Sequence, residues 1–186
     1  GSFGKSFSPH KEWVYDAIKY AASKDVLFVH AAGNDAEDLN VVEGYPNDRI
    51  GETEIATNYI KVGALNYEYG SKLVADFSNY GKTDVDVFAP GVKIYATIPN
   101  NQFKYEQGTS MAAPNVAGVA ALIRSYYPKL TAAQVKQILK ESGVAISKTV
   151  IVGGDASNKI PFNELSVTGK IVNAYNALLM ADKMSK

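Results

Sequence analysis

A chain of 186 residues falls within the roughly 100–200 residues of one domain. It carries 19 Lys plus Arg against 19 Asp plus Glu, with two histidines and no cysteine. These counts exclude a disulfide framework, a thiolate zinc site and a cysteine nucleophile, and the balanced charge argues against nucleic acid as a partner. The longest apolar run, Val116 to Ile123, is well short of the roughly 20 residues that span a bilayer, so no membrane is expected either. Gly1 to Lys5 has no apolar core behind it and does not read as a signal peptide.

In chain order, residues 9–24 read as an amphipathic helix, with Val14, Ala17, Ile18 and Ala21 at helical spacing. Residues 26–32 form a near-continuous apolar run that stops at Gly33-Asn34-Asp35, which predicts a strand buried on both faces of a parallel sheet. A polar loop is expected over 35–57, then a second buried strand over 59–65. Residues 85–89 predict another strand, ended by Pro90-Gly91. Residues 93–98 and 102–107 flank Pro99-Asn100-Asn101, the pattern of an antiparallel hairpin. Helices are predicted over 110–126, from an N-cap at Thr131 to Glu141, and over 171–183. Alternating helix and buried-strand patterns make the fold class α/β with a mostly parallel sheet. Ser2-Phe3-Gly4 reads as the tail of a strand whose body is missing.

The segment that carries chemistry is Gly108-Thr109-Ser110-Met111-Ala112-Ala113-Pro114, followed by Val116-Ala117-Gly118. Gly108 permits a sharp strand-to-helix turn. Ser110 then falls at a helix N-terminus, where free N–H groups and the helix dipole favour developing negative charge. Ala112 and Ala113 keep the first turn slim, and Pro114 is tolerable close to a helix start. Such a serine is a candidate nucleophile beside an anion-stabilising site. Gly-Thr-Ser alone reads first as a simple helix cap, with Thr109 or Ser110 capping a helix that has a small-residue face.

The whole block closely resembles the nucleophile signature of the subtilisin-like serine proteases, the subtilases. Ala31-Ala32-Gly33-Asn34 resembles the subtilase segment whose Asn amide supplies half of the oxyanion hole; the Ser110 backbone N–H would supply the other half. Loss of such an Asn donor costs on the order of 10²–10³ in turnover, a magnitude measured on subtilisin itself. Further landmarks follow in order: Tyr45-Pro46, Val62-Gly63-Ala64, Phe77-Ser78-Asn79-Tyr80-Gly81, Ala89-Pro90-Gly91-Val92 and Asn173-Ala174. The resemblance implies a subtilisin-like three-layer fold. It also implies that Ser2, Phe3 and Gly4 pair with substrate backbone, that Ala31, Ala32 and Gly33 wall the S1 pocket, and that Gly44 lies at its bottom. A glycine there would leave room for a large apolar P1 side chain, and Asp35 could add tolerance for a basic one.

Two parts of the subtilase pattern are missing. Ser110 needs a base, and the base needs an orienting carboxylate. Subtilases carry these in Asp-(Thr/Ser)-Gly and His-Gly-Thr-His segments upstream of the oxyanion Asn, and neither segment occurs here. His10 sits in a polar loop at a helix start. His30 lies within the buried strand, where a hydrogen-bonded structural role is expected. Two lone histidines lack metal-ligand spacing. The chemistry requires no cofactor, and structural calcium at the acidic loop Asp35, Glu37, Asp38 has no recognisable ligand spacing to support it.

The expectation is therefore residues 1–186 as the C-terminal part of a subtilase catalytic domain, inactive alone, acting on peptide or protein substrates. Its partner would be the missing N-terminal portion or a second copy, through apolar surface left open by the partial sheet. The family suggests a secreted, periplasmic or cell-surface location. The alternative is a non-catalytic subtilase-like binding or scaffold domain. A phosphate-binding α/β domain is disfavoured by the lack of a Gly-rich phosphate loop.

Overall fold

The computed structural model describes residues 3–4, 9–51 and 53–186. Strand β1 (Phe3–Gly4) precedes helix α1 (Lys11–Ser23) and strand β2 (Phe28–Ala31). Short strands β3 (Gly44–Tyr45), β4 (Arg49–Ile50) and β5 (Thr53–Glu54) lead to β6 (Tyr59–Leu65) and β7 (Val87–Pro90). A hairpin of β8 (Ile94–Ile98) and β9 (Gln102–Glu106) enters α2 (Thr109–Tyr126), followed by α3 (Ala132–Glu141). Strands β10 (Val144–Ala145), β11 (Thr149–Ile151), β12 (Lys159–Pro161) and β13 (Lys170–Ile171) precede α4 (Ala174–Met184).

The main sheet has the order β10-β13-β7-β6-β2, parallel from β2 through β13 and antiparallel at β10. Strand β6 is buried along its whole length, as its apolar run predicts. Its residues alternate between two cores. Ile60, Val62 and Ala64 pack with Val116, Ala120 and Ile123 of α2 and with Val135, Ile138, Leu139, Ala177 and Ala181 of α3 and α4. On the opposite face, Leu65 and Phe88 join a core with Val150, Phe162 and Leu165, while Tyr59 packs on Ile18 of α1. The result is a three-layer α/β fold. Among the described residues, no helix is long and apolar enough to cross a membrane.

Helix α3 starts as its sequence predicts. Thr131 accepts the Gln134 N–H at 3.2 Å while Gln134 Oε1 accepts the Thr131 N–H at 2.8 Å, a complete capping box. Four expectations need correction. Strand β2 covers only 28–31 and lies at the sheet edge, so Val26 is 49% and Phe28 37% exposed rather than buried on both sides. The same edge leaves α1 half unsupported: it buries Tyr15 and Ile18, while Val14 and Ala17 face outward. The segment 35–57 is not plain loop, since it holds β3 and the β4–β5 hairpin. The last helix starts at Ala174 because Ile171 is taken into β13 beside Phe88 and Val144, and Asn173 caps the helix by accepting the Asn176 N–H.

Strand β1 pairs with β3, with Phe3 opposite Tyr45 and Gly4 opposite Gly44, and takes no place in the main sheet. One buried cation interrupts the apolar pattern of β6. Lys61 is 2% exposed, and its ammonium lies 3.0 Å from Asp84. Nearby, Lys140 meets Asp86 at 2.9 Å and Lys136 meets Glu54 at 2.7 Å and Asp48 at 3.7 Å. Each buried charge thus has an opposite partner, which burial demands.

Candidate active site

The site is built where the carboxyl ends of β2 and β7 meet the start of α2. Gly108 precedes the helix with φ of 143°, a backbone conformation that glycine adopts without strain. A side chain there would only touch neighbours at 3.6 Å or more, so the torsion rather than crowding calls for glycine. Gly91 is the opposite case. Its Cα approaches so closely that a Cβ would come within 2.6 Å of Ala64 Cβ and 2.8 Å of the Gly108 carbonyl oxygen. The Gly108 N–H donates to the Gly91 carbonyl at 2.8 Å, which ties the start of α2 to the end of β7.

The first-turn amides of α2 have separate fates. Thr109 N–H donates to Asn34 Oδ1 at 2.9 Å, and Met111 and Ala112 donate to the Gly108 carbonyl at 3.0 and 3.3 Å. The Ser110 N–H has no acceptor among the described residues. Thr109 also donates its hydroxyl to Asn34 Oδ1 at 2.9 Å, and that hydroxyl accepts the Gly33 N–H at 3.2 Å. With Oδ1 held twice, the Asn34 amide is fixed in orientation. Its Nδ2 is 3.7 Å from where a Gly108 Cβ would stand and makes no hydrogen bond among the described residues. Asn34 and Ser110 are both exposed. Two free donors, Ser110 N–H and Asn34 Nδ2, thus lie 3.6 and 3.7 Å from one point beside Gly108, next to an exposed serine. Such a set can stabilise an oxyanion formed at the serine.

Asn79 locks the segment around Asn34. Its backbone N–H donates to the Gly33 carbonyl at 3.0 Å, and its Nδ2 donates to the Ala32 carbonyl at 3.1 Å. Its Oδ1 accepts the N–H groups of Asp35 and Glu37 at 2.9 and 3.0 Å. The neighbouring Ser78 hydroxyl accepts the Ala64 N–H at 2.9 Å. Thr109 and Asn79 are the positioning residues that reading the sequence left unassigned. Their signal was their place inside the two motifs.

Of the expected S1 residues, Ala31 ends β2, Ala32 is buried, and Gly33 has φ of 109° beside Thr109. Gly44 sits on β3 opposite Gly4, and its missing side chain faces Leu39, whose Cδ2 would lie 3.4 Å from a Cβ. Phe3 and Gly4 are brought to β3 as one strand, and Ser2 lies outside the described residues. Pro114 belongs to the second turn of α2, not the first, so it cannot offer an N–H to the Ser110 carbonyl.

Neither histidine stands beside Ser110. His10 precedes α1 and stacks on Trp13 with ring centroids 4.6 Å apart. His30 lies on the α1 side of the sheet, beside the stacked rings of Phe28 and Tyr59. It is not hydrogen-bonded as expected: its Nδ1 is buried without a partner. Burial first, then the Lys61 ammonium, lowers its pKa to about 3, so it is neutral at physiological pH. Among the described residues, no group of three or more His, Cys, Asp or Glu side chains is placed to hold a metal ion.

Comparison with known proteins places the chain in a family. The profile of the subtilase family matches residues 1–165. Subtilisin DY of Bacillus licheniformis is 37% identical over 137 residues, covering 74% of this chain and 46% of that protein. Subtilisin-like protease 2 of Plasmodium falciparum is 31% identical, covering 96% of this chain and 12% of its own length. The solved protease of Pseudoalteromonas arctica superposes with a TM-score of 0.67 at 29% identity, covering 90% of this chain and 46% of that one. The chain spans under half the length of each of these relatives. With the family profile covering nearly all of it, the chain belongs to the subtilase family.

Proposed function

We propose that this chain carries the nucleophile and oxyanion donors of a serine endopeptidase. The observation that supports the reading most is the pair of unpartnered donors, Ser110 N–H and Asn34 Nδ2, beside the Ser110 hydroxyl. Ser110 Oγ attacks the peptide carbonyl, and the developing oxyanion accepts hydrogen bonds from both donors. The carbon–nitrogen bond then breaks to leave an acyl-serine, which water hydrolyses. Asn34 needs no reorientation during the step, because Thr109 already holds its oxygen.

The proton on Ser110 must go to a base. His30 is a poor one, neutral down to about pH 3 and on the other side of the sheet, and His10 sits at the start of α1. The triad Asp and His therefore come from a segment outside residues 1–186, which form one part of a catalytic domain. The open flank supports this. The β2 edge and the α2 residues Ala117, Ala120 and Ala121 border a groove of about 270 Å³ in which that segment can pack. Without it, two copies would associate through the same flank. The glycine at position 44 suits a large apolar P1 side chain, as the family resemblance implies. Relatives include a cell wall-associated protease and a major intracellular serine protease. We place this one outside the cell, as the family resemblance suggests.

A fluorophosphonate probe tests the reading. Residues 1–186 alone should not label, and the complete protease should label at Ser110. In the complete enzyme, Asn34→Ala should lower kcat by about 10²–10³ with little change in KM. Rapid labelling of the isolated chain, or a complete protein that does not label, would overturn it.

A further inference from the structure

The β8–β9 ribbon has two unlike faces. Its register pairs Tyr95 with Tyr105 and Thr97 with Phe103 on one face, and Ile94 with Glu106, Ala96 with Lys104 and Ile98 with Gln102 on the other. The second face is the supported one, with Ile94, Ile98 and Glu106 half-buried, and it holds the ribbon's only charges, Lys104 and Glu106, paired at 2.6 Å. The first face carries no charge and stands in solvent. Tyr95 is 60%, Phe103 57% and Tyr105 66% exposed. Their rings cluster, with Tyr95 centroids 5.6 Å from Phe103 and 5.0 Å from Tyr105, and neither tyrosine hydroxyl makes a hydrogen bond among the described residues.

Cross-strand aromatic pairing steadies a hairpin but does not require three large rings to face water. The exposed area sets the size of the occupant. Three rings of this exposure offer on the order of 400 Å². A ribbon-to-ribbon dimer would bury about 800 Å² in total, below the roughly 1,200–2,000 Å² of a stable interface. A short extended polypeptide suits the area, with side chains against the rings and backbone groups at the free hydroxyls.

The placement indicates which polypeptide. The ribbon stands apart from the main sheet and is rooted at the nucleophile, since Gly91 just before β8 and Gly108 just after β9 are hydrogen-bonded at 2.8 Å. Tyr105 precedes Ser110 by five residues, so at most about 17 Å separates them. A bound chain advances about 3.3 Å per residue, so the rings come within reach about three to five residues from the scissile bond. The S1 wall lies at the end of β2, at the sheet edge, whereas the ribbon rises from β7, two strands away. That puts the rings on the leaving-group side. We infer that Tyr95, Phe103 and Tyr105 form an exosite that binds an apolar stretch of the polypeptide substrate, downstream of the bond cut at Ser110. This rests on the proposed endopeptidase reading.

The test uses the complete protease and quenched fluorescent peptides with one common cleavage sequence. Leu and Phe, or Ser and Asn, occupy the third to fifth positions after the cut. The apolar peptide should have about tenfold higher kcat/KM, carried by KM, and Tyr95→Ser/Phe103→Ser/Tyr105→Ser should abolish that preference while leaving the polar peptide unchanged. Phe103→Ser alone, with an unaltered circular dichroism spectrum, should lose part of it if the triple variant fails to fold. A preference that survives in correctly folded variants would overturn the inference, as would no preference in the parent. A concentration-dependent dimer lost in the triple variant would also overturn it, by assigning the face to a second copy. Failure of Ser110 to react with fluorophosphonate is separate. It would sink the endopeptidase reading, and binding of the labelled apolar product peptide to residues 1–186 would then decide the exosite by itself.

Discussion

Acidification should destabilise this chain in part through one buried histidine, and His30→Phe should remove that part. The imidazole packs beside the stacked Phe28 and Tyr59 rings, opposite Lys61 in the sheet register, with its Nδ1 unpartnered. Its ordinary pKa of 6.5 falls to about 3 in the fold. Between those values the unfolded chain binds a proton that the folded chain refuses, so stability is full above about 6.5 and falls as pH falls. At about 1.4 kcal/mol per pH unit, the loss reaches about 2 kcal/mol at pH 5 and about 3 kcal/mol at pH 4. His30→Phe gives up no hydrogen bond at Nδ1 and keeps a ring against Tyr59, so the two proteins should have similar stability near pH 8. Urea unfolding at pH 8, 6, 5 and 4 measures the difference. Carboxylates such as Glu54, whose pKa is lowered by Lys136 against the effect of burial, titrate in both proteins and cancel. Parallel stability curves from pH 8 to 4 would refute the reasoning, because they would mean that the folded imidazole protonates as readily as the unfolded one.

Asn79→Ala removes two acceptor bonds to Asp35 and Glu37 and leaves the buried Ala32 carbonyl without its side-chain donor. About 2–4 kcal/mol of stability should go, read by urea unfolding, and the Asp35 and Glu37 amides should exchange faster with deuterium. Gly91→Ala drives a methyl into Ala64 and the Gly108 carbonyl and should cost about 1–3 kcal/mol. Gly118→Ala on the open face of α2, where a methyl meets nothing within 4 Å, is its control and should stabilise by about 0.5–1 kcal/mol.

What could be read from the sequence follows signal length. Strand β6, the β8–β9 ribbon and helices α2 and α3 each carry five or more residues of one pattern or a cap with its partner, and they form as expected. Strands β10 to β13 have two or three residues each, too few for a period to show, and β13 took Ile171 away from the predicted helix. The β2 error has a different source. An apolar run reports what a segment can bury, not what lies beside it, and among the described residues β2 pairs with β6 alone. Lys61 was invisible for the converse reason: its burial depends on Asp84, 23 residues away, which no local pattern records.

The residues of the candidate site stand out in the sequence because their constraints are stereochemical. A positive φ at Gly108, a close approach at Gly91 and an amide at position 34 each admit very few residue types. Motifs record such restrictions directly. What they do not record is the support: the Thr109 hydroxyl that holds an amide 75 positions earlier, and the Asn79 side chain that bonds three backbone groups around it. Both lie within this chain, so the donors are oriented by contacts that need nothing from outside it. In the proposed reaction, donors fixed beforehand would not have to reorganise as charge develops, and that would be the source of their catalytic worth. A base can arrive on a separate segment, because proton transfer asks of it only reach and a suitable pKa. That asymmetry is a physical reason for the division proposed above, with nucleophile and oxyanion donors on one portion of the domain and the proton acceptor on another.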